Sequence, residues 1–518
     1  MNWKPELDEL MRREAFAREM GGADKVKRQH EGGRLTVRER ITRLVDPGSF
    51  HEVGAISGKA EYDSAGDLAT LTPANCVFGR GLIDGRPVVV VGDDFTVRGG
   101  AADPVGSAKQ VYAEQLAGQA GVPLIRLLDG TGGGGTVESL LDMGRTYVPW
   151  NPGWDEVVAN LGRIPVIAVA LGPVAGLGAA RLVTSHVSIM VRGLSQVFIA
   201  GPAVVAAGMG EEVDKEGLGG WRAVARAGTV DLVVDSEDEA LALARRLLSY
   251  LPARVGQEAP RGPASGCVAA EPDPDLRAAV PRDRRTPYDM RAIIERVFDP
   301  ASVLELGRYF APSTITALAR LDGWPVAVLA SDPRVYGGGL TADGSDKLAR
   351  FVDLAETFGL PVVHLVDQPG FVIGSAAERA GTIRRGARAV AAIYETTVPW
   401  ASVIIRRVFG VAGAAHRPHH RYTFRVAWPS GDWGSLPVEG GVEVAFQRRF
   451  AAAGEDAERM KAEILGKLEA VRSPMRTAEA FGIEEIIDPA DTRPLLCEWM
   501  STARDAPRGP ALPRRSRP

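Results

Sequence analysis

The chain has 518 residues, of which 45% are hydrophobic and 24% charged, and its formal net charge is −4. These values are typical of a folded globular protein of two to four domains, at roughly 150 residues each, and they exclude a general basic surface for nucleic acid or anionic membrane. A cytoplasmic protein without a disulfide framework or zinc ribbon is expected, because no signal peptide, membrane-length apolar run or C-x-x-C pair is present.

The segment from Pro5 to about Val45 is charged and has helical periodicity. Thr36 and Glu39 have the spacing of a capping box, in which each side chain accepts a hydrogen bond from the other residue's backbone N–H. This pattern predicts a helix that runs to Leu44. The turn sequence at 46–48, Asp-Pro-Gly, then ends it.

Short elements of both kinds follow in order. Residues 75–97 alternate apolar runs with turn residues, which predicts two paired strands joined by a hairpin at Asp84-Gly85. A glycine-rich turn and a helix to Gly121 come next, and then a buried strand at 122–128. The succession is therefore strand, strand, helix, strand.

This unit occurs twice in the chain. The segment Leu-Ile-Asp84-Gly85-Arg-Pro-Val matches Arg-Leu-Asp322-Gly323-Trp-Pro-Val, and Gly121-Val-Pro-Leu-Ile-Arg-Leu-Leu-Asp129 matches Gly359-Leu-Pro-Val-Val-His-Leu-Val-Asp367. Both pairs are 238 residues apart (322−84 and 367−129). Further on, Gly176 matches Gly410 at an offset of 234 (410−176). One offset held over about 45 residues indicates a duplicated domain.

The duplication predicts an N-terminal domain at 1–255 and a C-terminal domain at 288–518. Between them, residues 256–287 are predicted to form a linker. Residues 252–287 carry seven prolines and little apolar periodicity, which favours this interpretation.

A strand-length apolar run within 164–180 ends in three glycines, Gly172, Gly176 and Gly178. The pattern predicts a buried strand followed by a helix, whose first N–H groups face outward and can bind an anion. The turn contains no acid, base or nucleophile, so the chemistry it offers comes from the backbone. A plain strand-to-helix connection explains these residues equally well. The second half has its own version of the turn at 403–413.

Two such turns suit the stabilisation of two oxygens that gain negative charge, at roughly 3–4 kcal/mol per donor. No phosphate-loop, H-E-x-x-H or G-x-S-x-G motif is present. The glycine-rich run at 130–135 is interpreted as backbone that approaches a ligand or as a flexible turn. His416, His419 and His420 are interpreted as an exposed basic loop rather than metal ligands. Ser195, Gln196 and Asp367 are predicted to be structural.

Long motifs are spread over nearly the whole chain. They are Gly33-Arg-Leu-Thr-Val-Arg-Glu-Arg-Ile41, Phe198-Ile-Ala-Gly-Pro202, Glu216-Gly-Leu-Gly-Gly220, Val366-Asp-Gln-Pro-Gly-Phe371, Gly381-Thr-Ile-Arg-Arg-Gly-Ala387 and Ile487-Asp-Pro-Ala-Asp-Thr-Arg-Pro-Leu-Leu496. The motifs resemble the β subunits of acyl-CoA carboxylases, the carboxyltransferases of the propionyl-CoA and methylcrotonyl-CoA type. This resemblance implies an α/β fold of two tandem crotonase-like domains (ββα superhelices) and a hexamer whose active sites combine domains of two subunits. It also implies a reaction in which carboxybiotin gives its carboxyl group to the α-carbon of an acyl-CoA through a thioester enolate.

The resemblance further implies which turn holds which oxygen. The thioester oxygen would be held by the amides of Gly176 and Leu177, and the biotin oxygen by those of Val411 and Ala412. Further substrate contacts are expected from Gly132, Gly133, Gly172, Gly178, Phe409, Gly410 and Ala414.

Three of these positions depart from the family pattern. Leu177 and Val411 replace glycines, and Ala414 stands where many members have an aspartate. A Cβ narrows the approach to the amides, and a valine at a position that needs positive φ would be strained. The altered acyl pocket is expected to favour acyl groups larger than acetyl.

The chain lacks the A-M-K-M biotin-attachment motif. Biotin is therefore expected on a partner α subunit that carries the biotin carboxylase and the biotin carrier, with a coenzyme A thioester as the substrate and no metal in this chain. Two alternatives stay open beside the carboxylase subunit. One is a decarboxylase or transcarboxylase that acts on a malonyl-type thioester, and the other is a catalytically impaired paralogue with a structural role in a carboxylase complex.

Overall fold

The computed structural model describes residues 2–101, 104–130, 140–141, 143–262, 271–418 and 421–508. The chain divides into two compact units, Met1–Gln257 and Glu258–Pro518. Each unit is built around one mixed β-sheet. None of the helices in the described part of the chain is long and apolar enough to cross a membrane.

An eight-stranded sheet forms the centre of the first unit. The strands of this unit are β1 (His51–Val53), β2 (Gly58–Tyr62), β3 (Leu68–Pro73), β4 (Cys76–Ile83), β5 (Arg86–Asp93), β6 (Leu124–Gly130), β7 (Val166–Ala175), β8 (Val187–Val191), β9 (Gln196–Phe198) and β10 (Leu232–Val234). The order in the sheet is β1-β4-β5-β6-β7-β8-β10, with β9 paired to β7, while β2 and β3 form a separate hairpin. The first three strands of the sheet are antiparallel and the others parallel.

Helices cover this first sheet. They are α1 (Lys4–Arg18), α2 (Ala23–Glu31), α3 (Val37–Leu44), α4 (Pro104–Ala120), α5 (Trp154–Asn160), α6 (Leu177–Val183), α7 (Pro202–Met209), α8 (Lys215–Gly219), α9 (Trp221–Val224) and α10 (Glu237–Tyr250). At the start of α3, the Thr36 N–H donates to Glu39 Oε2 at 2.7 Å and the Glu39 N–H donates to Thr36 Oγ1 at 3.3 Å. The predicted capping box and the helix to Leu44 are both confirmed.

The second unit contains a seven-stranded sheet. Its strands are β11 (Leu304–Leu306), β12 (Thr314–Leu321), β13 (Trp324–Ser331), β14 (Val362–Gln368), β15 (Trp400–Phe409), β16 (Thr423–Ala427) and β17 (Asp432–Gly434). The order is β11-β12-β13-β14-β15-β16, with β17 paired to β15. As in the first sheet, three antiparallel strands lead into parallel ones.

The helices of the second unit are α11 (Met290–Val297), α12 (Ala342–Phe358), α13 (Ser375–Arg379), α14 (Thr382–Glu395), α15 (Gly410–Ala414), α16 (Val438–Ala453), α17 (Ala457–Val471), α18 (Pro474–Glu479) and α19 (Thr492–Ala503). The core lies between the sheet and the helices α11 and α19, which contribute fully buried residues such as Met290 and Leu496. The amphipathic pattern of these helices thus closes one face of the sheet.

The strand register shows the duplication residue by residue. Val89 pairs with Leu124 in the first sheet, and Ala327 pairs with Val362 in the second, both 238 residues later. The irregularity between Leu128 and Gly130 recurs between Val366 and Gln368 at the same offset. The hairpin residues Asp84 and Gly85 (φ 49° and 75°) likewise recur as Asp322 and Gly323 (φ 50° and 79°). Positive φ at both positions is the signature of a type I′ turn, so the predicted hairpin is confirmed.

Part of the predicted linker packs on the second unit. The 3₁₀ helix Pro274–Ala278 buries Leu276 in the core of that unit. Asp273 accepts a hydrogen bond from Arg296 at 2.8 Å, which fixes the start of this helix to α11. The described residues from 271 onward therefore follow an irregular but packed path.

Candidate active site

The first glycine turn follows the central strand of the first sheet. β7 is buried along most of its length, and α6 begins directly after Gly176. Gly176 has φ 56° and ψ −122°, a conformation that residues with a Cβ rarely adopt. The residue is exposed at the carboxyl end of the parallel strands. Ligands of open α/β sheets bind at this edge.

The N–H groups of this turn differ in their partners. The Gly176 N–H donates to the backbone carbonyls of Ile199 at 3.1 Å and of Phe198 at 3.2 Å. The Leu177 N–H has no acceptor within the described chain. Of the two N–H groups predicted to bind the thioester oxygen, that of Gly176 is thus hydrogen-bonded within the protein. Leu177 provides the first open N–H.

The second glycine turn occupies the same place in the second sheet. β15 ends at the buried Phe409, and the short helix α15 begins at Gly410, which has φ 61°. The N–H groups of Val411 and Ala412 have no acceptor in the part of the chain that the structure describes. Val411 is 64% exposed and Ala414 is also exposed, whereas Ala412 is buried. The predicted equivalence of Gly176 and Gly410 is confirmed.

The substituted positions carry no backbone strain. Neither Leu177 nor Val411 has a positive φ, because in each turn the preceding glycine adopts it. The strain considered for a valine at position 411 is therefore absent. Both residues keep their N–H, and their side chains change only the space around it.

The remaining predicted contact residues lie in different surroundings. Gly172 is buried, and a Cβ on it would come within 2.0 Å of Asp129 Oδ1, so packing against this carboxylate explains the glycine. Gly178 is buried within α6. Gly132 and Gly133 lie outside the described residues.

A buried ion pair anchors the helix that follows the first turn. Arg126 Nε donates to Glu114 Oε1 at 2.7 Å, and less than 3% of either side chain is exposed. Arg126 Nη1 donates to the carbonyls of Arg181 at 2.8 Å and Thr184 at 2.6 Å, at the carboxyl end of α6. A cation at this end is favourable because it satisfies carbonyls that have no partner within the helix. Arg126 thus fixes the helix that begins at Leu177.

A buried histidine anchors the second turn. The ring Nδ1 of His416 lies 2.7 Å from the carbonyl oxygen of Gly413 in α15. Because a carbonyl only accepts, Nδ1 carries the proton. His416 is 6% exposed, and burial lowers its pKa to about 4. The prediction of an exposed loop is therefore wrong for His416, because its backbone-bonded ring packs inside the unit.

The two other histidines of that predicted loop, His419 and His420, lie outside the described residues. Among the residues that are described, no group of three or more His, Cys, Asp and Glu could hold a metal ion.

A small cavity lies beneath the second turn. It has a volume of about 20 Å³, room for one water molecule, and its lining includes Ala412, Gln368 and His364. Burial, and the neighbouring His416, lower the pKa of His364 to about 3. The ring is therefore neutral at physiological pH.

Comparison with known proteins shows the family. A family model described as the carboxyl transferase domain matches residues 28–517. The chain belongs to the carboxyl transferase family. The reaction of this family is carboxyl transfer between biotin and an acyl-CoA.

Relatives and a solved structure match at least nine tenths of this carboxyl transferase. The methylmalonyl-CoA carboxyltransferase 12S subunit of Propionibacterium freudenreichii subsp. shermanii is 35% identical over 479 residues, 91% of this chain and 89% of the relative. The propionyl-CoA carboxylase beta chain of Saccharopolyspora erythraea is 34% identical over 504 residues, 94% of this chain and 91% of that one. A crystal structure of the transcarboxylase 12S hexamer, with methylmalonyl-coenzyme A and methylmalonic acid bound, matches with a TM-score of 0.88 at 31% identity and covers 100% of this chain and 99% of its own. The tandem crotonase-like fold is thereby confirmed.

Proposed function

We propose that this chain is the carboxyltransferase subunit of an acyl-CoA carboxylase. In this role it receives carboxybiotin on a partner chain and directs the carboxyl group to the α-carbon of an acyl-CoA. The observation that carries the proposal is the pair of equivalent turns, in which Gly176 and Gly410 each adopt a positive φ directly before an open N–H. The reaction places negative charge on two oxygens, one of the thioester enolate and one of biotin. Two fixed donor sites match that requirement.

The two turns have separate tasks in this proposal. The first turn holds the thioester oxygen through the Leu177 N–H, and the second holds the biotin oxygen through the N–H groups of Val411 and Ala412. Each fixed donor contributes roughly 3–4 kcal/mol to stabilisation of the charged state. The carboxyl group itself is supplied by carboxybiotin when it is bound. Open, unstrained amides at the exposed Gly410 turn fit a carbonyl oxygen of that group.

In this proposal the biotin is carried by a partner α subunit, as the family membership of the chain implies. We also propose a homohexamer, the assembly of the 12S structure. The helix α7 supports an assembly because it is apolar and none of its residues is buried. Ile199 just before it is 95% exposed and Met209 at its end 80%. An exposed apolar surface of this kind is typically buried in an interface with a partner chain or a second copy of the protein. We also propose that the protein acts in the cytoplasm.

A transcarboxylase is the second candidate. The 35% identity to a methylmalonyl-CoA carboxyltransferase subunit favours it. This chain would catalyse the same half-reaction in an acyl-CoA carboxylase and in a transcarboxylase. The identity of the partner chains therefore distinguishes the two enzymes.

The test is carboxylation by the reconstituted complex. The purified chain is combined with a biotinylated α subunit from the same genome, ATP, labelled bicarbonate and acyl-CoA thioesters. We expect labelled carbon to be incorporated into the acyl-CoA. This incorporation should require ATP and should be abolished by avidin, which binds biotin. A second assay transfers the carboxyl group of methylmalonyl-CoA to free biocytin without ATP. If no carboxyl transfer occurs in either assay, the proposal is contradicted. The remaining hypothesis is then a catalytically impaired paralogue with a structural role.

A further inference from the structure

A groove with a volume of about 660 Å³ opens on the second unit. Its walls come from the stretch 276–284, the loop 428–431 and two short segments near 475 and 487. The groove contains none of the turn residues Phe409–Ala414. It is therefore a feature separate from the candidate active site.

The charged residues that line the groove are mostly basic. Its charged lining residues are the arginines Arg277, Arg282, Arg284 and Arg406 and the single acid Asp488. Asp488 lies 2.7 Å from Arg277, and Glu469 lies 2.9 Å from Arg284, so two of the four charges are paired within the protein. The other two charges give the groove its net positive potential.

These two arginines are not neutralised by a hydrogen-bonded acid. Arg406 is buried, and its Nη2 and Nη1 donate to the backbone carbonyls of Asp283 at 2.7 Å and Thr286 at 2.9 Å. Carbonyl acceptors hold the guanidinium in place but do not cancel its charge. Arg282 is exposed and has neither a hydrogen bond nor an ion pair with any residue that the structure describes. The exposed guanidinium of Arg282 is therefore the charge that is suited to contact an anionic partner, while Arg406 contributes from within the wall.

Apolar residues complete the wall. Val280, Trp428, Pro429, Met475 and Ile486 line the same groove. A site for a bare phosphate would be polar throughout, whereas apolar contacts beside arginines are the composition of protein–protein interfaces. The groove therefore fits an acidic face of a protein better than a small anion.

The groove lies at the same edge of the sheet as the second turn. Arg406 precedes Gly410 by four residues on β15, a span of about 13 Å along a strand. The loop 428–431 leaves β16, the neighbour of β15, and leads into β17, which pairs with Arg407–Phe409. A partner seated in the groove would be close to the turn that is proposed to receive biotin.

We propose that this groove is the docking surface for an acidic face of the biotin-carrying partner. The inference rests on the proposed function. The flexible biotinyl-lysine arm would enter the second turn while the groove holds the carrier. The groove recognises the carrier protein and not biotin itself. Carboxyl transfer to free biocytin should therefore not depend on the groove.

The test uses Arg282→Glu in the full-length protein, since this side chain is exposed and supports no other residue. Carboxyl transfer from methylmalonyl-CoA is measured to the biotinylated carrier of an α subunit from the same genome and, separately, to biocytin. The KM for the carrier should rise about tenfold, with kcat and KM for biocytin unchanged. Arg448→Glu, the same charge reversal on an exposed position of α16, should leave both substrates unaffected.

Different outcomes overturn different claims. An unchanged KM for the carrier in Arg282→Glu overturns the docking surface, and so does a raised KM for methylmalonyl-CoA alone, which would assign the groove to coenzyme A phosphates. If wild type transfers to neither acceptor, the proposed function fails. The docking surface is then tested without catalysis, by calorimetric measurement of the affinity of wild type and of Arg282→Glu for the same carrier. Equal affinities would overturn it. If Arg282→Glu fails to fold, Arg282→Gln replaces it, with a smaller expected rise of about threefold.

Discussion

Asp129 and Asp367 are equivalent residues of the two sheets, both fully buried, yet different parts of the chain neutralise them. Asp129 lies 2.8 Å from Arg40, which comes from the helix α3. Asp367 lies 2.6 Å from Arg407 on the neighbouring strand β15 and accepts a hydrogen bond from the Tyr288 hydroxyl at 2.8 Å. The residue equivalent to Arg407 in the first sheet is a proline, at position 173 (407−234). The acid is thus the same in both domains, while the arginines that neutralise it come from different elements, Arg34 and Arg40 in the first domain and Arg407 in the second.

Removal of Asp129 is expected to destabilise the first unit strongly. Arg40 is 1% exposed, and in Asp129→Ala it would keep only Glu237 as a carboxylate partner, at 2.6 Å. Loss of one partner from a buried ion pair typically costs about 3–5 kcal/mol. Urea unfolding of the variant checks this cost. Asp238→Ala is the matched control because its pair with Arg43 is exposed, and a much smaller loss is expected there. Equal losses in the two variants would contradict the argument.

The turn glycines are expected to tolerate substitution less than their neighbours. Gly410→Ala places a Cβ at φ 61°, which costs about 1–2 kcal/mol and tilts the donors that follow. We expect carboxyl transfer from methylmalonyl-CoA to biocytin to fall about tenfold or more. Val411→Gly, at an unstrained position, should stay within about threefold of wild type, the effect of less than 1 kcal/mol. A large gain of activity in Val411→Gly would instead show that the valine blocks the second turn.

Local patterns made much of this fold predictable. The capping box at Thr36, the hairpin at Asp84 and the glycine after β7 each depend on residues that are close in sequence. The duplication was also visible, since a constant offset survives when individual residues change. These features needed no knowledge of which distant segments meet.

The anchors of the two turns were not predicted, for the opposite reason. Arg126 is flanked by apolar residues in a fully buried strand, which signals a buried charge with some partner. That its partner is Glu114 depends on how α4 packs on the sheet. The occupied N–H of Gly176 likewise depends on the position of β9, which pairs with the end of β7. His416 lies in a charged sequence, so its burial follows from the packing of the domain alone.

The pair of Arg126 and Glu114 offers a test by double substitution. Glu114→Leu leaves a buried guanidinium without its carboxylate and should cost about 3–5 kcal/mol. Adding Arg126→Met removes the orphaned charge and should recover a large part of that loss, although the α6 carbonyls lose their donor. Urea unfolding of the two single variants and the double variant measures the coupling. Additive losses would mean that the two residues act independently.

The second unit should lose stability in acid. Burial lowers the pKa of His416 to about 4, below the value near 6.5 of an unfolded histidine. Between these values the unfolded chain binds a proton that the folded chain does not, so stability falls as the pH drops from 6.5 to 4. At 1.36 kcal/mol per pH unit, the contribution of His416 to this loss is about 3 kcal/mol.

Melting temperatures measured from pH 7.5 to 4.5 check this pH dependence. His416→Asn should show a smaller fall in acid, because the asparagine amide can replace the Nδ1 donor but does not titrate. Asp93 in the first unit should have the opposite effect on the pH dependence of stability. Burial raises its pKa to about 6, so the stability that the protonated side chain contributes in acid is lost as the pH rises through that value. An identical pH profile in His416→Asn and wild type would remove the histidine from the explanation.

The identity of residue 177 should set the acyl preference. Leu177 is half-buried and directly follows Gly176, so in the proposed site its side chain lies beside the thioester. An acyl group longer than acetyl can bury more apolar surface there, at about 0.8 kcal/mol or roughly fourfold in kcat/KM per methylene. We expect propionyl-CoA and longer or branched thioesters to be carboxylated faster than acetyl-CoA, and Leu177→Gly to reduce this preference. Val411→Gly is the control, because it alters the biotin side and should leave the ratio unchanged. A best rate on acetyl-CoA would overturn the assignment of Leu177 to the acyl pocket.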